Sequence, residues 1–159
     1  MVFVGVDPGK MGAVAEIKPD CYMDVIDMPL SANKEISVPD LVKFFEQIVF
    51  KANAESEEIF CVIEKSQAMP KQGVKGVFTY GVGYGTIRTL LYVYEIPFQE
   101  IHPMTWKKEF NLIKKDKSES VAVAQKMFPK QAFYTERGRM LDGRAEAILL
   151  AEYARRIHK

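Results

Sequence analysis

Val2-Phe3-Val4-Gly5-Val6-Asp7-Pro8-Gly9 opens as an apolar, β-rich run and closes on an acid and a turn. Such a run reads as a buried strand, and Pro8-Gly9 makes the chain reverse, so the Asp7 carboxylate is expected at a strand end. Ile59-Phe60-Cys61-Val62-Ile63 repeats the arrangement and sets Glu64 at the end of a second buried strand. Between them, apolar segments at about 12–17 and 21–27 are linked by Pro8-Gly9 and Pro19-Asp20, which predicts an antiparallel meander. Ser37 and Asp40 resemble a capping box. Leu41, Phe44, Phe45, Ile48 and Val49 then recur at helical spacing to about residue 54. The order up to Glu64 is therefore strand, strand, strand, helix, strand.

Beyond Glu64 lies a polar loop, residues 65–73, containing Gln67 and Lys71. Loops at the strand end of a site commonly touch substrate. Val74 to Tyr94 reads as a long helix that includes Lys75, and its glycines at 81, 83 and 85 lower helix propensity while permitting close packing. It is either an ordinary buried helix or a surface for a second copy, with Val77 and Leu90 as the contact. The three glycines lack the preceding strand and the spacing of a nucleotide-binding loop. Residues 96–101 suggest a fifth strand, and His102-Pro103 breaks the chain before a short helix holding Trp106. Trp106 reads first as a packed anchor and second as a platform for a base. Asp116 or Ser118 caps a helix through Phe128, and a last helix covers about 142–157.

That last helix carries Asp142 and Glu146, four residues apart and hence on one face. Each acid has an ordinary reading: Asp7 as a turn former, Glu64 as the partner of Lys65, Asp142 as a first-turn acid favoured by the helix dipole, Glu146 as the partner of an arginine. Taken together, four carboxylates at two strand ends and one helix face converge only if something cationic offsets their repulsion. With no His or Cys spacing that suits zinc, the expected ion is Mg²⁺, with Mn²⁺ able to substitute.

The 159 residues suit one domain with a substantial core, and no apolar stretch approaches the roughly 20 residues that span a bilayer. Met1 runs straight into a strand without a basic n-region or cleavage site, so a soluble intracellular protein is expected. Cys21 and Cys61 lack metal spacing, and Cys61 reads as a small core residue. Net charge is +1, but residues 1–100 hold 9 Lys/Arg against 14 Asp/Glu and residues 101–159 hold 13 against 7. The second part is the polyanion-facing portion, with Lys107, Lys108, Lys114, Lys115 and Lys117 concentrated in it. Cations beside an acidic metal site would hold phosphates where the metal could act.

Gly5-Val6-Asp7-Pro8-Gly9, Val62-Ile63-Glu64, His102-Pro103-x-x-Trp106-Lys107 and Asp142-Gly143-Arg144-Ala145-Glu146-Ala147 together resemble RuvC-type Holliday-junction resolvases, especially the phage-encoded branch. The likeness touches almost the whole chain. It implies one ribonuclease H-like domain over 1–159, an α/β fold with a five-stranded mixed sheet and helices on both faces. It also implies a homodimer that cuts branched DNA, four-way junctions above all, with divalent metal, in the cytoplasm of an infected bacterial host if phage-encoded. By the same resemblance Asp7, Glu64, Asp142 and Glu146 are metal ligands and catalytic, and Lys117 and Lys107 contact phosphate. The DNA-facing set is Gln67, Lys71, Lys75, Lys107, Lys108, Lys114, Lys115 and Lys117. Two departures stand out: bacterial RuvC proteins end on two Asp spaced by three, and they carry an aromatic where this chain has Gln67.

The chemistry expected of such a site is two-metal phosphodiester hydrolysis leaving a 5′-phosphate and a 3′-hydroxyl. Two rivals remain. One is a ribonuclease H-like nuclease acting on forks, flaps or RNA–DNA hybrids. The other is a non-catalytic module that binds branched DNA, against which speaks the concentration of negative charge beside phosphate.

Overall fold

The computed structural model describes residues 1–65 and 73–158. Strands β1 (Val2–Asp7), β2 (Ala13–Ile17) and β3 (Met23–Asp27) form the expected antiparallel meander. Its turns are tight: the Gly12 N–H donates to the Gly9 carbonyl at 2.9 Å, and that of Cys21 to Lys18 at 2.9 Å. Cys21 takes φ 63° in the second turn, so β3 starts at Met23, two residues later than the apolar pattern suggests.

Helix α1 (Val38–Ala54) follows and buries Leu41, Phe44, Phe45, Ile48 and Ala52. Its start differs from a capping box. Ser37 is the N-cap, but its hydroxyl donates to the Asp40 carboxylate at 2.6 Å instead of accepting from the helix backbone. Pro39 has removed one of the N–H groups such a cap would satisfy. Strand β4 (Ile59–Glu64), helix α2 (Val74–Val93), strand β5 (Phe98–Ile101) and helices α3 (Pro103–Glu109), α4 (Lys117–Met127) and α5 (Asp142–Ile157) complete the chain. Asp116 is the cap of α4, its carboxylate accepting from the Ser118 N–H at 3.0 Å.

The five-stranded sheet has the order β3-β2-β1-β4-β5, with β1 parallel to β4, β4 parallel to β5 and β2 antiparallel to both its neighbours. This is the mixed α/β sheet expected. Residue alternation assigns its faces. Val2, Val4, Val6, Cys61 and Ile63 pack with the buried residues of α1 and α2, and Cys61 is fully buried there. Phe3, Val62 and Phe60 face the other way, into a second core formed with α5, α4 and Trp106 of α3. Helices thus cover both faces. No helix among the described residues is long and apolar enough to cross a membrane.

Helix α5 is the structural spine. Ala145, Ala147, Ile148, Leu149, Leu150, Ala151 and Ala154 are all fully buried against the sheet and α4. It lies so close to β1 that a Cβ on Gly5 would overlap the α5 backbone at Ala147 and Ala151. Small residues on both partners permit that approach, and it decides where the acids of α5 come to rest.

Candidate active site

The register of β1 against β4 pairs Val6 with Ile63, so the next residues, Asp7 and Glu64, end adjacent parallel strands. Alternation then turns both carboxylates toward α5, because Gly5 and Val62, two residues earlier, face that helix. Asp142 is the first residue of α5 and Glu146 lies one turn later. The α5 N-terminus is seated on the β1–β2 turn: a Cβ on Gly143 would overlap the Met11 carbonyl and Gly12. Strand ends, turn and helix start thus meet at one edge of the sheet.

The electrostatics show that the acids sense one another. Burial, then Glu146 and Glu64, push the Asp7 carboxyl up to about 7, against the pull of the Gly9 N–H and Lys117. That N–H donates to Asp7 Oδ1 at 3.3 Å. Burial likewise raises Glu64, while a hydrogen bond from Trp106 opposes the rise and Glu146 adds to it. Glu146 is itself only 7% exposed.

Side chains from α3 and α4 grip the other three acids. The Trp106 indole Nε1 donates to Glu64 Oε2 at 2.7 Å. Lys107 Nζ lies 3.0 Å from Glu146 Oε1 and 5.1 Å from the Trp106 ring centroid. Lys117 Nζ pairs with Asp142 Oδ2, and that hydrogen bond is the main reason the Lys117 ammonium is held above its ordinary pKa. Trp106 is fully buried, so it is a packed anchor and offers no face to a base.

Asp7, Glu64, Asp142, Glu146, Lys107 and Lys117 are therefore one cluster. Lys108, Lys114 and Lys115 are exposed around α3 and the turn after it, and Lys75 is exposed on the first turn of α2. Gln67 and Lys71 lie outside the described residues. The ordinary readings of two acids are replaced. Glu64 bonds Trp106 instead of Lys65, and Glu146 pairs with Lys107 instead of an arginine.

Among the described residues, no three acidic, His or Cys side chains are drawn close enough in this conformation to hold a metal ion. The physical reason is visible in the partners: three of the four acids point at Trp106, Lys107 or Lys117. The donor set still suits a hard divalent cation, being all carboxylate oxygen, with two of its members pushed toward protonation by burial first and by neighbouring acids second. Such an ion would take the place the two ammonium groups hold.

The role of Trp106 toward Glu64 was not read from the sequence. A signal existed, because a buried indole N–H needs an acceptor and few polar residues are near enough in the fold to supply one. The seat of Gly143 against the β1–β2 turn left no such trace, since it depends on a contact between residues far apart in the chain.

By sequence, no family model and no curated protein matches the chain. By structure, the chain is similar to Thermus thermophilus RuvC, both alone and in complex with Holliday junction substrate. Each has a TM-score of 0.59 at 14% identity over 99% of this chain, and 97% and 96% of the respective RuvC chains are covered. The fold is shared with RuvC. The sheet and its two helical layers are thus those of the ribonuclease H-like α/β class, as the sequence resemblance implied. In this RuvC-like framework the acidic cluster sits where β1 and β4 end.

Proposed function

We propose that this protein is a metal-dependent, structure-selective endonuclease that nicks branched DNA, four-way junctions above all. One observation carries the reading: two strand ends and one helix bring four acids to a single edge of the sheet, with Lys107 and Lys117 paired to two of them. The likeness to a RuvC seen with a junction supports branched DNA as the substrate.

Asp7, Glu64, Asp142 and Glu146 would hold Mg²⁺ or Mn²⁺, two ions per site. When bound, these supply a water activated for attack and stabilise charge on the departing oxygen. The reaction is hydrolysis at phosphorus: a water oxygen bonds to phosphorus, the bond to O3′ breaks, and O3′ takes up a proton, leaving a 5′-phosphate and a 3′-hydroxyl. Lys117 and Lys107, released from their carboxylates, hold the phosphate and offset its charge. Trp106 keeps Glu64 in one orientation through its N–H, as outer partners of ligand carboxylates do. Lys75, Lys108, Lys114 and Lys115, with Gln67 and Lys71, which follow β4 in the sequence, contact DNA away from the cut. Two copies related by a two-fold axis would match the near two-fold symmetry of a four-way junction.

The test is cleavage of matched four-way junction, fork, flap, linear duplex and RNA–DNA hybrid with Mg²⁺, Mn²⁺ or EDTA, comparing wild type with Asp7→Asn and Glu64→Gln. Metal-dependent nicks in the junction, lost in both variants while binding persists, are expected. Preference for flaps or hybrids would transfer the reading to a different ribonuclease H-like nuclease, and binding without any cutting would leave a branched-DNA binding module. Mg²⁺ titration followed by calorimetry gives an independent readout, with weaker binding expected in Asp7→Asn.

A further inference from the structure

A cleft of about 130 Å³ opens beside Asp142, lined among others by Lys10, Gly12, Leu30, Arg139 and Arg144. Sheet order places it on the β2–β3 side of Asp7, since Asp27 at the end of β3 also lines it, whereas Trp106 reaches the site at Glu64 on the β4 side. A strand of nucleic acid crossing the acidic cluster would run past both flanks. Among the described residues, none of the cations assigned so far to DNA contact lines it.

Two short turns fix its walls. In one, Tyr134 bridges Met140, the Thr135 N–H donates to the Arg139 carbonyl at 2.9 Å, the Arg139 N–H donates to Thr135 Oγ1 at 3.0 Å, and Gly138 takes φ 77° to close the turn. In the other, Leu30 bridges Ile36, and the Ser31 N–H donates to the Glu35 backbone carbonyl at 2.7 Å. Lys10, in the β1–β2 turn, donates from Nζ to the Lys34 carbonyl of that second turn at 2.6 Å. Its ammonium is thereby anchored without being neutralised.

The charges of the lining do not cancel. Asp27 is bound by Arg144 through Nε and, at 3.1 Å, through Nη2, and Asp142 is bound by Lys117. Arg144 is further tied to the Ala132 carbonyl at 3.3 Å. Among the described residues neither Lys10 nor Arg139 has an acidic partner, so the cleft keeps two uncompensated positive charges. Its size admits a handful of water-sized groups, which suits a phosphate and not a base.

We propose that this cleft holds a backbone phosphate of the bound nucleic-acid strand, on the β2–β3 flank of the phosphate being cut. Arg139 meets it with its planar fork and Lys10 as a point charge. The inference rests on the nuclease reading and extends it by a second phosphate site, which sets the position of the strand over the acids.

The experiment measures binding of a labelled synthetic four-way DNA junction in Mg²⁺, using Asp7→Asn protein as a non-cutting parent, between 50 and 200 mM salt. In that background Lys10→Gln with Arg139→Gln is expected to weaken binding about tenfold or more and to flatten the slope of log K against log salt by about one, one phosphate contact being worth roughly 0.9. Arg139→Lys alone should keep the slope and still lose affinity, because the fork is gone. Should the double variant fail to fold, a junction carrying neutral methylphosphonates beside the cut site reads the same contact on the parent, with the same loss expected. An unchanged slope and affinity in the double variant, or no penalty from the neutral junction, overturns the cleft alone. A parent and wild type that bind no branched DNA overturn the nuclease reading and the cleft with it.

Discussion

Asp7 is the least comfortable member of the acidic cluster. Its folded-state carboxyl sits near pH 7 against an ordinary 3.8, through burial and the nearness of Glu146 and Glu64. Below pH 3.8 folded and unfolded chains both keep the proton. Between 3.8 and about 7 only the folded chain keeps it, so rising pH favours unfolding, and above about 7 the whole penalty stands. Glu64 and Glu16 are raised in the same direction, each chiefly by burial. Metal-free protein is therefore expected to lose thermal stability as pH rises from about 4 to about 7. Asp7→Asn should flatten that fall and be more stable than wild type at pH 7 in EDTA, by on the order of 2 kcal/mol after solvent screening. Paired melting curves across pH check both statements. A variant no more stable than wild type at pH 7 would show that Asp7 carries no such strain.

At the scale of elements, the seat of α5 on the β1–β2 turn sets the distance between Asp7 and Asp142. Gly143 makes that seat possible, because any side chain there would run into the Met11 carbonyl and Gly12. Backbone cannot yield as a flexible side chain would. Gly143→Ala is expected to lose about 3 kcal/mol or more of stability, on the order of 10 °C in Tm, from forced displacement of the helix start. What remains folded should bind Mg²⁺ more weakly, since the helix acids move away from the strand acids. Denaturant unfolding and calorimetric titration measure the two effects. A melting point and Mg²⁺ affinity equal to wild type would mean the turn can move aside.

At the scale of the whole molecule, α2 presents an apolar face to solvent. Val74, Phe78 and Val82 are 87%, 72% and 54% exposed and fall on one face of the N-terminal half of α2. Leu90, by contrast, is buried in the protein's own core and Val77 is half-buried, so a charge at Leu90 would damage the fold before it touched any partner. A homodimer of the kind proposed above, if it meets through α2, would meet on the Phe78 face. Phe78→Glu with Val82→Glu should give a folded monomer by light scattering, with paired cutting of a junction reduced to single nicks. A variant that stays dimeric, or a wild type that is monomeric at micromolar concentration, counts against that face.

Much of this was legible in the chain because the signals are local. Val2 to Asp7 and Ile59 to Glu64 are short apolar runs ended by acids, and a period of two settles which residues share a face. Asp142 and Glu146 declare a common helix face by their spacing alone. The sequence by itself determined the order of elements, the four acids and the basic lean of residues 101–159. Tertiary structure alone decided that Trp106 holds Glu64, that Lys107 and Lys117 occupy the acids, that Leu90 is spent on the core, and that Lys10 and Arg139 share a cleft. These are contacts between residues tens of positions apart, fixed by how closely α5 can approach β1 and by which charges are left without partners once the backbone is packed. No local period encodes them.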